Sequence, residues 1–351
     1  MEIILSTKDQ MTPMERKKAL EEGKEVDRVP CVPFMSEIKC RISGASIWDF
    51  WHDPQKMAET EIMVFNRYGQ DRIVIGPNSR GITDALGGEA VYPTEGVPYM
   101  ETTLIKDYGQ LDHMEPVNAK TNERIQVFSK AGHLLQDKIK DRIPAEMSIG
   151  GPFTIASNLR GVEKLLRDCR KQEENVHKLL RIVTDTQKSC IDMAADAGMG
   201  IAMADPVANP ALIGPSFYKK FVFDYTMELM EYAKEKTGQK VSLHMCGNTY
   251  KIWEYLRQYD LNELSVDNII DMKRAAEELG PFIPISGNVD PVEIIMNGTK
   301  EEITKASYQC IEEGLKSQKG FTLATGCDIP NMTALEHIDY FMEAARTYPY
   351  R

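Results

Sequence analysis

The sequence predicts an α/β fold in which eight strands, each followed by a helix, form a parallel sheet closed as a (β/α)₈ barrel. Short β-rich runs alternate with longer runs of helical periodicity along the whole chain. A length of 351 residues is ordinary for one such barrel. No low-complexity or Pro/Gly-rich linker divides the chain, so we expect one domain over residues 1–351. A doubly wound open sheet is the alternative.

The candidate strands are short, rich in apolar residues and bounded by turn residues or by helical runs. In chain order they cover residues 30–35, 71–76, 145–150, 199–205, 240–246, 263–268, 281–286 and 320–326. The clearest helical run is 216–238, in which apolar residues recur every three or four positions. We expect this helix to begin after Pro215, near a capping Ser216, and to end at Gly238.

Two segments of the chain exceed what the barrel itself requires. Residues from 1 to about 29 precede the first strand, and we expect them to form an N-terminal helical extension. Residues from about 77 to 144 are too many for one βα unit, so we interpret them as an insertion that carries small strands of its own. We expect this insertion near the barrel mouth, which the carboxyl ends of the strands form.

Charge and composition argue against several classes of protein. A formal net charge of −11 disfavours a general nucleic-acid binder, because phosphate backbones require a basic face. The sequence has no run of about 18 apolar residues that would span a membrane, and its opening MEIILSTKDQ lacks the pattern of a signal peptide. Seven scattered cysteines, an odd number, do not suit a disulfide framework, and we expect a cytoplasmic protein.

The fifth strand ends in two side chains that bind metals well. His244 and Cys246 lie two positions apart, so a strand points both to the same face. Cys327 follows the eighth strand, and one imidazole with two thiolates suits Zn²⁺ with an open fourth position, as in catalytic sites. A core histidine with inert thiols is the alternative. Four further cysteines are interpreted as structural: Cys169, Cys190 and Cys310 in helices, and Cys31 in the core.

Polar side chains follow three more strands. Asp205 ends the fourth strand, Asp267 ends the sixth, and Asn288 follows the seventh. Each residue type commonly caps the helix that comes next, which is the alternative reading. Because the carboxyl ends of barrel strands share one rim, we predict that these three side chains form a polar pocket that binds substrate.

With these residues identified, the sequence resembles the uroporphyrinogen decarboxylase superfamily, and more closely its zinc-dependent cobamide methyltransferase branch. GGPFT at 150–154 is similar to the segment after the family's third strand, and SGNVDP at 286–291 to the turn after its seventh. The branch carries His-x-Cys after strand five and Gly-Cys after strand eight as zinc ligands, which match His244, Cys246 and Cys327. The resemblance implies a TIM barrel of the uroporphyrinogen decarboxylase type and makes these three residues the metal ligands and catalytic centre.

The sequence departs from the decarboxylases themselves at two places. Their first strand is followed by arginines that hold the substrate's carboxylates, whereas this chain has Ser36 and Glu37 there. Their second strand ends in a catalytic Asp, whereas this chain has Gly76, Pro77 and Asn78. Uroporphyrinogen decarboxylase activity in tetrapyrrole biosynthesis is therefore an alternative rather than the main hypothesis. A non-catalytic barrel that binds a corrinoid protein is a second alternative.

The resemblance implies one-carbon chemistry on a corrinoid (cobamide) cofactor. Zinc would hold a small substrate, either a thiol acceptor such as coenzyme M or a methylated or methoxylated donor, the latter giving O-demethylation. The sequence leaves the direction of transfer open. The chain has no Asp-x-His-x-x-Gly segment for binding a corrinoid, since LDHMEP at 111–116 has the wrong spacing. We therefore expect a separate corrinoid protein that docks over the barrel mouth, with the 77–144 insertion as a collar.

Overall fold

The computed structural model describes residues 1–94 and 96–349. Residue 95, within the predicted insertion, and residues 350–351, at the end of the predicted domain, lie outside the described residues. Eight strands form the main sheet. Their bounds are β1 Cys31–Val32, β2 Ile73–Pro77, β3 Ala145–Gly150, β4 Gly200–Ala204, β5 Ser242–Met245, β6 Glu263–Val266, β7 Ile285–Val289 and β8 Phe321–Thr325.

The order of the strands is that of a (β/α)₈ barrel. From β2 to β8 each strand neighbours the next one along the chain, and β8 then pairs in parallel with β1. A doubly wound sheet would reverse its strand order at a switch point, and no such reversal occurs here, so that alternative is wrong. The predicted barrel is confirmed.

Helices follow the strands and cover the sheet, as parallel strands require. Their bounds are α1 Pro13–Glu21, α2 Ile38–Ser43, α3 Ile47–His52, α4 Pro54–Tyr68, α5 Asn78–Ala85, α6 Glu123–Ile139, α7 Pro152–Arg160, α8 Val162–Lys171, α9 Glu173–Asp196, α10 Pro210–Tyr218, α11 Asp224–Thr237, α12 Trp253–Leu256, α13 Met272–Glu278, α14 Lys300–Gly314 and α15 Leu335–Thr347. No helix among the described residues combines the length and the apolar character needed to cross a membrane.

The chain divides into two compact units. The first comprises residues 1–73, 134–145 and the described chain from 263 onward, and it contains β1, β6, β7 and β8. Within it β8 pairs with β7, and β7 pairs with β6, both in parallel. The second comprises residues 74–133 and 146–262, with β4 paired in parallel to β3 and to β5. The single domain over 1–351 stays a prediction.

The segments predicted as an extension and an insertion contain regular elements. α1 begins at a capping box in which the Thr12 and Glu15 side chains each accept a backbone N–H of the other residue. After α5 comes a small antiparallel pair of strands, Ala90–Val91 with Tyr99–Met100, and then a 3₁₀ segment at Tyr108–His113 before α6. The assignment of this region as an insertion at the barrel mouth stays a prediction.

The seventh strand lies further along the chain than predicted. The expected run was 281–286, but the strand is Ile285–Val289. Pro284 has no N–H to donate, and only its carbonyl joins the ladder by accepting from Leu264. Gly287 was interpreted as the start of a turn, yet it lies inside the strand, where a Cβ would approach the Val266 carbonyl oxygen to 3.0 Å. Asn288 is therefore part of β7 rather than a residue that follows it.

The helical run predicted for 216–238 is present, with one change of helix type inside it. Gly214 has φ 67° and ψ 164°, which separates the start of α10 from the helix that continues at Pro215. The helix then passes through a π-helical turn at Lys219–Phe223 before α11. It ends as predicted at Gly238, whose φ of 70° is the left-handed conformation favoured by glycine at this position. Gly214 therefore marks the start of this helix.

Candidate metal centre

His244 and Cys246 come together at the end of β5, as the two-residue period predicts. His244 lies in the strand opposite Ala204 of β4, and Cys246 follows the strand's last residue. The His244 Nε2 atom lies 3.1 Å from the Cys246 Sγ atom. Both side chains are partly exposed, so solvent or a small ligand can reach them.

The turn after Cys246 is shaped by a glycine and an asparagine. Gly247 has φ 76°, and a Cβ on it would lie 1.7 Å from the Nδ2 atom of Asn209. That same Nδ2 atom donates a hydrogen bond of 3.0 Å to the Cys246 carbonyl oxygen. Only glycine fits at this position, for its backbone conformation and for the space that Asn209 occupies.

Cys327 is held after β8 by a similar arrangement. The Thr325 hydroxyl donates to the Cys327 carbonyl oxygen at 2.8 Å and accepts from the Phe34 N–H at 3.1 Å. Gly326 donates its N–H to the Val289 carbonyl at 2.9 Å, and a Cβ on it would lie 2.3 Å from the Asn268 nitrogen. The Gly-Cys pair of the sequence thus reflects a close backbone approach beside the cysteine.

The three predicted ligands fit a zinc ion. His244, Cys246 and Cys327 each offer one ligand atom, and these atoms all lie within 4.8 Å of one another. Tetrahedral zinc, with bonds of about 2.3 Å to sulfur and about 2.0 Å to nitrogen, places its ligand atoms roughly 3.5–3.8 Å apart. Among the described residues no other group of three His, Cys, Asp or Glu side chains meets the same criterion. A zinc ion held by one nitrogen and two sulfurs would keep a fourth coordination position open.

The other cysteines differ from these two in their burial. All seven are free thiols, and Cys246 and Cys327 are the two that are partly exposed. Burial raises the pKa of the remaining five thiols, to about 12 in four of them, so they stay protonated at neutral pH: Cys31, Cys40, Cys169, Cys190 and Cys310. The predictions of Cys31 as core and of the other three as helix residues are confirmed.

Asp205 has a visible structural partner. Its side chain is buried, and its Oδ1 atom accepts hydrogen bonds from the Thr154 N–H at 2.8 Å and the Thr154 hydroxyl at 2.5 Å. Thr154 lies in the first turn of α7, so the carboxylate satisfies a free N–H at the start of that helix. A Cβ on Gly151 would lie 2.2 Å from the Asp205 Cβ, which accounts for a glycine there.

Burial raises the pKa of Asp205 to about 6, while the hydrogen bonds from Thr154 act in the opposite direction. Among the described residues its Oδ2 atom is buried and has no hydrogen-bond partner. The alternative reading of the sequence was that Asp205 caps the helix that follows it. In the structure the Asp205 carboxylate caps α7, which precedes it in the chain. The predicted role of Asp205 in binding substrate stays a prediction.

The structural contribution of Asp205 can be measured. We expect Asp205→Ala to lower the free energy of unfolding by about 1–3 kcal/mol, because the buried Thr154 N–H and hydroxyl lose their acceptor. Urea unfolding measures this change, and steady-state kinetics of the folded variant tests separately whether the KM for the small substrate rises, as the predicted substrate-binding role requires. An unchanged stability together with a clearly raised KM would instead favour the substrate-binding role.

Asn288 and Asp267 lie close together in the first unit. The Asn288 side-chain amide donates to the carbonyl oxygens of Asp267 at 2.9 Å and Ile270 at 2.6 Å. The Asp267 Oδ1 atom accepts from the Ile269 N–H at 3.1 Å. Both side chains are 9% exposed, and the Asn288 amide holds the loop that follows β6. Their predicted contact with substrate stays a prediction.

Two residues near the centre were not singled out from the sequence. Asn209 precedes Pro210, and that pair is a common signature of a helix start, so its capping of α10 was open to prediction. Its bond to the Cys246 carbonyl joins residues that are distant along the chain, and no local pattern indicates such a bond. Thr154 likewise meets Asp205 only in the folded chain.

Comparison with known proteins gives the family. A family model described as uroporphyrinogen decarboxylase (URO-D) matches residues 12–348. The chain is similar to the methylcobamide:CoM methyltransferase MtbA of Methanosarcina mazei, 28% identical over 347 residues covering 97% of this chain and 99% of the relative. It is also similar to MtaA, a methylcobamide:CoM methyltransferase of Methanosarcina barkeri, 25% identical over 337 residues covering 93% and 95%. The uroporphyrinogen decarboxylase of Hordeum vulgare is 25% identical over 235 residues, covering 65% and 69%.

Solved structures support the fold. A methyltransferase from Methanosarcina mazei superposes with a TM-score of 0.84 at 24% identity, covering 96% of this chain and 98% of that chain. A B12-independent methionine synthase from Shewanella sp. W3-18-1 in complex with selenomethionine superposes with a TM-score of 0.52 at 14% identity, covering 83% and 85%. At these identities the likeness concerns the fold alone. Because the family model matches nearly the whole chain, this protein belongs to the uroporphyrinogen decarboxylase (URO-D) family.

Proposed function

We propose that this chain is a zinc-dependent methyltransferase that moves a methyl group between a separate corrinoid protein and a small substrate held on the metal. The observation that carries the proposal is the set of ligand atoms on His244, Cys246 and Cys327, all within 4.8 Å of one another. Relatives named as methylcobamide:CoM methyltransferases cover nearly the whole chain and support the corrinoid as methyl carrier.

The donor set suits a thiol substrate. When bound, zinc supplies a Lewis acid that keeps a substrate thiol deprotonated near pH 7, where a free thiol of pKa about 8.5 is mostly protonated. Cys246 and Cys327 contribute two negative charges that balance the charge of the ion. Asn209 and Thr325 each donate to the carbonyl of one ligand cysteine, and they thereby hold the backbone from which each sulfur projects.

The reaction is a transfer of one methyl group. With a thiol acceptor such as coenzyme M, the cobalt–carbon bond breaks, a sulfur–carbon bond forms, cobalt leaves as cobalt(I), and the thiol proton goes to solvent. In the reverse sense a cobalt–carbon bond would form on cobalt(I) as the oxygen–carbon or sulfur–carbon bond of a methoxylated or methylated compound breaks. The leaving oxygen or sulfur would keep the electron pair and take a proton from solvent, which for a methoxy group is an O-demethylation. The names of the relatives favour the thiol acceptor.

The structure around β2 supports the departure from decarboxylase chemistry. The run Gly76-Pro77-Asn78 stands where the decarboxylases end this strand in a catalytic Asp, and its first residue, Gly76, has φ 145° and a Cβ position 2.6 Å from the Ser148 carbonyl oxygen. That position has no room for a side chain. Glu37, where the decarboxylases place cations, is an acid and is 3% exposed, and an acidic side chain offers no basic contact to a substrate with eight carboxylates.

A spectroscopic assay tests the proposed function. Zinc-loaded protein is mixed with methylcobalamin and a panel of thiols, and in parallel with cobalt(I) cobalamin and a panel of methoxylated aromatics, methylamines and methyl thioethers. We expect loss of the methylcobalt spectrum with a thiol, or its appearance with a methylated donor. No transfer in either direction, or conversion of uroporphyrinogen to coproporphyrinogen at an enzymatic rate, would contradict the proposal.

We place the corrinoid protein over four exposed apolar residues of the first unit. They belong to the segments that follow β1, β8, β7 and β6, which are consecutive in the sheet. All four lie in the first unit, on the side of the carboxyl strand ends where barrel enzymes bind substrates. Their exposed fractions are 56% for Trp48, 83% for Met332, 40% for Val292 and 58% for Ile269. A contiguous patch of exposed apolar side chains is typical of a docking surface, and we propose that these four residues form one.

The substitution Met332→Glu tests binding of the corrinoid protein separately from methyl transfer itself. We expect Met332→Glu to raise the KM for a methylated corrinoid protein several-fold, because a charge replaces an apolar contact, while zinc content and the rate with free methylcobalamin stay unchanged. Phe282→Glu is the matched control, since Phe282 is 57% exposed but lies before β7, at the amino end of that strand. Equal effects of the two substitutions on the KM would place the corrinoid protein elsewhere.

A further inference from the structure

We infer that Asn209 is a positioning residue for the metal ligand Cys246, an inference that rests on the proposed zinc site. Asn209 follows the 3₁₀ turn after β4 and begins α10. Its side-chain amide has two partners. The Oδ1 atom accepts from the Ala211 N–H at 2.8 Å, and the Nδ2 atom donates to the Cys246 carbonyl oxygen at 3.0 Å.

The orientation of this amide follows from its two partners. A backbone N–H can only donate and a carbonyl oxygen can only accept, so the oxygen must face Ala211 and the nitrogen must face Cys246. Pro210, the next residue, has its φ fixed by its ring, which holds the start of the helix in place. Asn209 therefore joins a rigid helix start to the backbone of a ligand residue.

The contact fixes the turn that carries the Cys246 sulfur. Gly247 packs so closely on Asn209 that a Cβ on the glycine would lie 1.7 Å from Nδ2. The hydrogen bond holds the Cys246 carbonyl and hence the direction of the Cα–Cβ bond of Cys246, whose Sγ lies 3.1 Å from His244 Nε2. The β4 segment holds the other ligand as well, because the Asp205 N–H donates to the His244 carbonyl at 3.4 Å.

An asparagine side chain can accept from the Ala211 N–H and donate to the Cys246 carbonyl at the same time. Aspartate and serine cap helices about as well, so either substitution keeps the acceptor for Ala211. Aspartate, which has the same shape, loses the donor and turns a carboxylate oxygen toward the Cys246 carbonyl. Serine is too short to reach both partners. Partners that orient a metal ligand typically contribute roughly 10–100-fold to metal affinity.

The experiment measures zinc affinity without using activity. Zinc is titrated into wild type, Asn209→Asp and Asn209→Ser in competition with a chromophoric chelator at one pH. We expect the zinc dissociation constant to rise about tenfold or more in both variants. The thermal midpoint of the zinc-free proteins should stay close to that of the wild type, because α10 keeps its cap. At saturating zinc, kcat for methyl transfer should return toward the wild-type value.

Asn248→Asp is the matched control for charge. Asn248 lies in the same turn, is exposed, and accepts from the Tyr250 N–H through its side-chain oxygen. The Asn248→Asp substitution adds one negative charge near Cys246 and leaves the hydrogen bond to the Cys246 carbonyl intact. We expect the zinc affinity of this variant to match or exceed that of the wild type. Wild-type affinity in both Asn209 variants, or an equal loss in Asn248→Asp, would overturn the positioning role. A wild-type chain that binds no zinc would overturn the proposed function as well.

Discussion

Replacing Cys246 or Cys327 by serine is expected to remove zinc from the protein and to abolish methyl transfer. A serine hydroxyl is not deprotonated near neutral pH, so each variant keeps only two of the three ligands. The loss of zinc affinity should therefore exceed the roughly 100-fold that removal of a residue outside the ligand set can cost. Metal analysis after dialysis against a weak chelator gives the zinc content per chain, and the methylcobalamin assay gives the rate.

A matched control uses a cysteine that has no part in the cluster. Cys190 is fully buried in α9, and burial raises its pKa to about 12, so it is not a thiolate at neutral pH. We expect Cys190→Ala to keep its zinc and its rate. His244→Ala should behave like the two serine variants and keep its circular dichroism spectrum, because the barrel is built on apolar strand residues such as Leu243. Stoichiometric zinc in both serine variants would show that the ligand assignment is wrong.

Most strand positions could be predicted from the sequence, because buried parallel strands appear in it as recognisable apolar runs. Strands covered on both faces are short apolar runs, and β3 was placed with the bounds that the structure has, Ala145–Gly150. The seventh strand was misplaced because two signals conflict with its pairing. Pro284 lies inside the apolar run 281–286 that was predicted as the strand, and Gly287 looked like the start of a turn. Only the packing on Val266 shows why a glycine belongs inside that strand.

For the candidate metal centre, the ligands could be predicted from the sequence but the residues that hold them could not. His244 and Cys246 follow from the two-residue period of one strand, and Cys327 follows once the barrel places the ends of its strands at one rim. The residues that hold these ligands do not follow, because their bonds join distant parts of the chain. Asp205 illustrates the limit: its position at a strand end was evident, but its partner Thr154 lies in a helix on another βα unit. The residue types at the strand ends can be predicted from a sequence. The backbone N–H groups that donate to each carboxylate cannot, because they depend on the folded chain.

The second large effect is expected at a buried carboxylate that ties the N-terminal extension to the barrel. Asp71 lies just before β2 and is 8% exposed. It accepts a hydrogen bond from the guanidinium of Arg16, another from Arg28 at 2.6 Å, and one from the Cys31 N–H at 2.6 Å. Arg16 and Arg28 are almost completely buried, so their charges depend on protein partners rather than on water.

We expect Asp71→Ala to lower the free energy of unfolding by about 3 kcal/mol, because removing one member of a buried ion network leaves charge that is not compensated. The effect should lie at the lower end of the range for such changes, since Arg16 also contacts Asp27 and Arg28 also contacts Asp9. Urea unfolding measures this loss of stability, provided that the dependence of the unfolding free energy on urea concentration has the same slope in the variant and the wild type.

The control for Asp71→Ala is an ion pair of the same charges on the surface of α1. Lys17 and Glu21 lie four residues apart with side chains that are 36% and 57% exposed, and exposed pairs of this kind contribute well under about 1 kcal/mol. Glu21→Ala should therefore leave stability nearly unchanged. If Asp71→Ala unfolds at the same urea concentration as Glu21→Ala, the buried network does not hold the extension to the barrel. A difference of the expected size would mean that the extension is stabilised by buried charge at the amino end of the strands, away from the ligands at their carboxyl ends.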